Sequence, residues 1–140
     1  MSHPPQMLAR PWMVRLMAAA TVAYTCVLVF ATHYPRPEEL LEGLLGRNQP
    51  SDKTLHFVAY AVLAALATTT WLTARRTAHR SIAPLAIALA GFGAIDEITQ
   101  PLFRRHAEPL DWIYDCVGIA IGITAVMVTA ALVSRCGRAQ

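Results

Sequence analysis

Four long apolar stretches, separated by shorter polar ones, organise the chain. They are "WMVRLMAAATVAYTCVLVFAT" from Trp12 to Thr32, "LHFVAYAVLAALATTTWLTA" from Leu55 to Ala74, "IAPLAIALAGFGAIDEIT" from Ile82 to Thr99, and "WIYDCVGIAIGITAVMVTAALV" from Trp112 to Val133. None alternates with the period of two that a half-buried strand requires. Each holds roughly 18–22 residues, the length of helix that spans a hydrocarbon core of about 30 Å at 1.5 Å per residue. The pattern predicts an all-α protein: a four-transmembrane-helix bundle, one integral membrane domain over residues 1–140, with spans at about 12–32, 55–74, 82–99 and 112–133.

Composition agrees. Of 140 residues, 55% are hydrophobic and 15% charged, against a charged share nearer a quarter in ordinary soluble domains. The first run is read as a span, although Arg10, Arg15 and the small residues near Ala31 would also suit a signal peptide. Between the first two runs, "RPEELLEGLLGR" has Pro37 and two acids at its start, Gly46 at its end, and Leu40, Leu41, Leu44 and Leu45 on one face. That is the pattern of a short amphipathic helix on the membrane surface.

Charge then orients the chain. With both termini cytoplasmic, Arg10, Arg15, Arg75, Arg76, Arg80, Arg135 and Arg138 lie inside, and Arg36, Arg47, Lys53, Arg104 and Arg105 outside, in the sense of the positive-inside rule. Trp12, Tyr34, Trp71 and Trp112 stand at run ends, where an aromatic belt belongs. All nine acids fall on the outer side. Acids contribute little to topology, so their one-sided placement points to a site. The formal net charge of +3 is accounted for by the Arg-rich inner segments, and no basic-aromatic weave suggests nucleic acid. Cys26, Cys116 and Cys136 have no metal-ligand spacing.

The candidate chemistry lies at the outer run ends. The third run climbs to Ile95 and then meets Asp96 and Glu97, with Gln100 a turn later. Ile82–Ile95 alone is too short to cross, so the helix must carry the acids with it until Pro101. A carboxylate at mid-membrane costs about 2.5–3.5 kcal/mol even on the lenient insertion scale, and such groups face an interior or a wet cavity. Asp52, His56 and Tyr60 recur every four residues and share one helix face, with Ser51 or Asp52 as cap. Asp111 and Asp115 do the same in the last run, and Gly118 and Gly122 continue their stripe as a small-xxx-small packing surface. If these ends adjoin, they form one polar pocket. His56, Glu97 and Asp96 are its candidates for acid-base chemistry. Asp52, Lys53, Tyr60, Gln100, Arg105, Asp111 and Asp115 are its candidate ligand-binding residues, with Lys53 and Arg105 suited to anionic groups. The carboxylates could hold a divalent metal, but no ligand spacing indicates one, and the cofactor stays open.

The combination "DKTLHFVAY", "AIDEITQ", Arg105 and "LDWIYDCVGIAIG" resembles the VanZ-like family of small bacterial membrane proteins. The matching positions are Asp52, Lys53, His56, Phe57, Tyr60, Glu97, Gln100, Arg105, Asp111, Asp115, Gly118 and Gly122, over roughly residues 51–122. Asp115 stands where members close to the founder carry Asn, the Gly-Pro turn before the Arg is absent, and the Gln100–Arg105 stretch is about one residue short. The resemblance implies a multi-pass protein of the bacterial cytoplasmic membrane, with relatives linked to resistance against glycopeptides such as teicoplanin. It implies no agreed reaction. The expected function is binding or handling of a lipid or lipid-linked envelope headgroup at the outer face. A lipid phosphohydrolase or transferase using His56 and the carboxylates is the first competitor, and a purely structural polar network the second. Whether the chain is an enzyme, and its oligomeric state, stay open.

Overall fold

A computed structural model describes residues 11–35, 42–43, 50–74 and 81–137. The described residues are all-helical, with four long helices: α1 (Pro11–Thr32), α2 (Asp52–Ala74), α3 (Ala83–Thr99) and α4 (Pro109–Cys136). A 3-10 turn, Gln100–Phe103, follows α3 directly. The amphipathic segment expected at 36–47 lies outside the described residues, apart from Glu42 and Gly43.

Three helices, α1, α2 and α4, are long and apolar enough to cross a membrane. The expectation of four such helices is corrected at α3. It has 17 residues, about 26 Å at 1.5 Å per residue, short of a hydrocarbon core of about 30 Å. Its last turn carries Asp96 and Glu97, and at Gln100 the coil tightens into the 3-10 turn, which accommodates Pro101 near its start, where a missing N–H costs nothing.

The closest helix pair is α2 with α4; α1 packs on α2, and α3 on α4. Glycine makes the first contact close. A Cβ on Gly118 would collide with the Phe57 carbonyl oxygen and lie 3.1 Å from Ala61 N. One on Gly122 would collide with the Ala61 carbonyl oxygen and lie 3.0 Å from Ala64 Cβ. The expected stripe is therefore the seam on which α2 rests. Around it sits a small core of Leu28, Tyr60, Leu63, Ala64, Leu89, Ile119 and Ile123. Most other large apolar side chains point outward: Phe30 is 64% exposed, Ile87 72% and Ile98 74%. The exterior is apolar and the buried set is rich in polar groups, an inversion of the soluble pattern that a bilayer accounts for.

Candidate functional site

The buried polar residues other than Thr68 gather at one end of the bundle, where α1 and α3 finish and α2 and α4 begin. Thr32, His56, Asp96, Glu97, Gln100, Asp111 and Asp115 are all buried there. The ends of the second, third and fourth apolar runs do meet, and α1 joins them.

His56 is the hub. It sits one turn into α2, after a start capped by Ser51, whose Oγ accepts from Thr54 N at 3.2 Å. Ser51 thus does the capping offered to Ser51 or Asp52, and Asp52 is free to face Arg105. His56 Nδ1 lies 3.0 Å from Asp115 Oδ1 on α4 and 3.6 Å from Glu97 Oε1 on α3. With carboxylates as acceptors, Nδ1 carries the proton and donates to Asp115. Glu97 is held from outside: Gln100 Nε2 donates to its Oε1 at 2.8 Å, and Glu108 N donates to its Oε2 at 3.3 Å.

A second group lies on the α1 side. Thr32 donates to Asp96 Oδ1 at 2.9 Å. His33 Nδ1 is 3.5 Å from the same oxygen, and its Nε2 is 2.9 Å from Thr99 Oγ1. Phe103 meets the His33 ring edge-on, with centroids 4.8 Å apart. Tyr60, fully buried, lies in the field of Asp96, Asp115 and Glu97. The Tyr60 hydroxyl faces the Asp96 carboxylate as its nearest acceptor, at a separation longer than a regular hydrogen bond.

The cations sit at the rim, already paired. Lys53 Nζ is 3.1 Å from Glu108 Oε2 and 3.7 Å from Asp111 Oδ1. Arg105 reaches back to the Thr32 carbonyl at 3.2 Å and to Asp52 Oδ2 at 3.5 Å. It is aimed there by Arg104, whose φ of 63° closes the 3-10 turn in the left-handed region. Both rim cations thus face acids, where the sequence reading aimed them at an anionic ligand. Around them stand Asp52, Asp96, Glu97, Glu108, Asp111 and Asp115, so among the described residues of this end six carboxylates face three permanent cations, Lys53, Arg104 and Arg105. Such a site attracts cations and hydrogen-bond donors.

Four oxygens buried in this end lack a regular hydrogen bond: Asp111 Oδ1, which faces Lys53 at 3.7 Å, the Tyr60 hydroxyl and Asp96 Oδ2 on the α1 side, and Asp115 Oδ2. Two trios bring ligand atoms within 4.8 Å of one another, His56–Glu97–Asp115 and Asp52–His56–Asp111. The carboxylates and the imidazole come from three helices, so no spacing rule along the chain could reveal them.

Beside the cluster runs a groove of about 650 Å³, lined by Phe30, His33, Tyr34, Phe92, Ile95, Asp96, Thr99, Leu102 and Phe103 among others. Its wall is mostly apolar, and its polar groups come from His33, Tyr34, Asp96 and Thr99. Thr32, His33 and Glu108 were not among the residues picked from the sequence. The available signal was a Thr-His pair closing an apolar run, and it is weak, because such pairs also serve as plain helix ends. Comparison with protein-family models, curated proteins and solved structures found no match.

Proposed function

We propose that this chain is a multi-pass membrane protein that binds an amphiphile, a lipid or lipid-linked molecule, at the outer face of a bacterial cytoplasmic membrane. The tail occupies the groove between α1 and α3, and the headgroup meets the polar end of the bundle. In this reading α3 completes a four-span bundle, its short length extended by the 3-10 turn, and both termini are cytoplasmic. The residues that resemble the VanZ-like pattern, Asp52, Lys53, His56, Tyr60, Glu97, Gln100, Arg105, Asp111 and Asp115, all belong to this end, which supports their acting as one site; a role in the cell envelope and a link to glycopeptide resistance rest on the resemblance alone.

The observation that carries the reading is Asp96. It is 3% exposed and lines the apolar groove, with the Thr32 and Tyr60 hydroxyls as its neighbours inside the bundle. A buried acceptor at the end of an apolar groove suits a headgroup with hydroxyl or amine donors. The paired state of Lys53 and Arg105 argues against a bare phosphate as the main determinant.

Native mass spectrometry of the detergent-purified protein with phosphatidylglycerol, phosphatidylethanolamine and phosphatidic acid tests this. Wild type should retain the first two better than the third. Ile95→Trp, which fills the groove at a 63% exposed position, should lose retention without loss of fold. Equal retention by wild type and Ile95→Trp would refute the groove as a lipid site. A hydrolytic reading has one observation in its favour, the His56–Asp115 pair at 3.0 Å, in which an acid orients a base. Turnover of labelled lipid phosphates would establish it.

A further inference from the structure

We infer that His56, Glu97 and Asp115 form a binding site for one divalent transition-metal ion, of the Zn²⁺ or Mn²⁺ class. The inference does not depend on the amphiphile reading. One imidazole and two carboxylates are a donor set that these ions accept. At Zn–N and Zn–O lengths of about 2.0–2.2 Å, tetrahedral ligands stand roughly 3.3–3.5 Å apart. The two separations from His56 Nδ1, 3.0 Å to Asp115 and 3.6 Å to Glu97, bracket that value. All three ligand atoms lie within 4.8 Å of one another, and all three residues are buried.

An independent observation points to a ligand there. Asp115 is completely buried; its Oδ1 is the oxygen that meets His56, and its Oδ2, which only a carboxylate coordinating through both oxygens would bring to the ion, has no hydrogen-bond partner. That oxygen looks across at α3, where a Cβ on Gly93 would lie 3.4 Å away. A buried carboxylate oxygen without a donor is costly, and a coordinating cation would satisfy it. Charge agrees: two carboxylates and a neutral imidazole sum to −2, so a divalent ion makes the buried complex neutral. Binding needs the imidazole proton to move from Nδ1 to Nε2, which frees the Nδ1 lone pair and breaks only the bond to Asp115. Glu97 is already oriented by Gln100 and by the Glu108 amide, the kind of outer support that metal-ligating carboxylates use.

The test is metal uptake by the detergent-purified full-length chain after stripping with chelator. Zn²⁺, Mn²⁺ and Co²⁺ are added separately, with the bound ion counted by elemental analysis and affinity measured by calorimetry. Wild type should take up about one equivalent and melt higher when loaded. Bound Co²⁺ should show the visible absorption of a four-coordinate N/O site. Glu97→Gln should abolish uptake while keeping the Gln100 contact. Gln100→Ala should weaken affinity roughly 10- to 100-fold. Failure of wild type to bind any of the three ions overturns the proposal without reference to any variant. Undiminished binding by Glu97→Gln overturns it as well, and loss on Asp111→Asn alone moves the ion to the Asp52–His56–Asp111 trio and refutes this assignment.

Discussion

The α2–α4 pair contains two regions, a turn apart, that are held together in opposite ways. At the glycine seam, Gly118 and Gly122 bring the two backbones together by having no side chain to keep them apart. At the polar end, His56 and Asp115 meet through a hydrogen bond of 3.0 Å between side chains that are both buried. The seam should therefore fail when atoms are added, and the polar end when they are removed. The two are also coupled, because the close approach at Gly118 sets how near α2 carries His56 to α4. Apolar packing against lipid would give neither region its position, since hydrocarbon is no worse a neighbour than leucine. Steric fit and polar pairing do the specifying.

The largest effect should come from emptying the polar end. His56→Ala leaves Glu97 and Asp115 buried without their shared partner, and breaking a buried pair from one side costs about 3–5 kcal/mol. The expected outcome is a large drop in unfolding free energy of the metal-free protein in detergent. Asp115→Asn keeps the shape and an acceptor for His56, and should cost about 1–3 kcal/mol by disturbing one buried polar contact. Equal, small losses in both variants would mean that the cluster does not hold the helices, and would remove the polar half of the comparison.

The seam answers to the reverse change. Gly118→Ala forces its new methyl against the Phe57 carbonyl, which is backbone and cannot swing aside. Overpacking of this kind costs about 1–3 kcal/mol. Gly91→Ala is the matched control: it lies in α3 with nothing within 4 Å of its new Cβ, and should gain up to about 1 kcal/mol from helix propensity. The coupling has its own signature. Gly118→Ala combined with His56→Ala should cost less than the sum of the two, because the first already loosens the pair that the second deletes. Strict additivity in that cycle would separate the regions.

Local regularities were legible in the sequence and cross-helix pairings were not. Spacing by four placed Asp52, His56 and Tyr60 on one face, and Asp111, Asp115, Gly118 and Gly122 on another, because helical geometry converts spacing into direction. Which faces meet depends on the packing of several helices, so the partnership of Thr32 and His33 with Asp96, and of Lys53 with Glu108, had no local sign. The expected engagement of Lys53 and Arg105 with an anionic group rested on their sign alone. In the fold, nearby carboxylates take that role. The extent of α3 was legible, Ile82–Thr99 against Ala83–Thr99; what the run of apolar residues hid is that 17 residues ending in a turn of buried acids fall short of a hydrocarbon core of about 30 Å.

The smallest effect tests how the rim is aimed. Arg104 has φ 63° and ψ 27°, a left-handed conformation that costs an L-residue with a Cβ roughly 1–2 kcal/mol. One strained residue thus turns the chain so that Arg105 faces the Thr32 carbonyl and Asp52. Glycine adopts this conformation without strain but has more freedom to lose on folding. Arg104→Gly should therefore change stability by no more than about 1 kcal/mol, with the balance toward stabilisation. Arg104→Val should be the worse substitution, since a β-branched side chain tolerates positive φ poorly. Thermal melts of the two variants beside wild type decide it. If valine were tolerated as well as glycine, the turn would not depend on the left-handed residue, and the aim of Arg105 would have to come from its own contacts with the Thr32 carbonyl and Asp52.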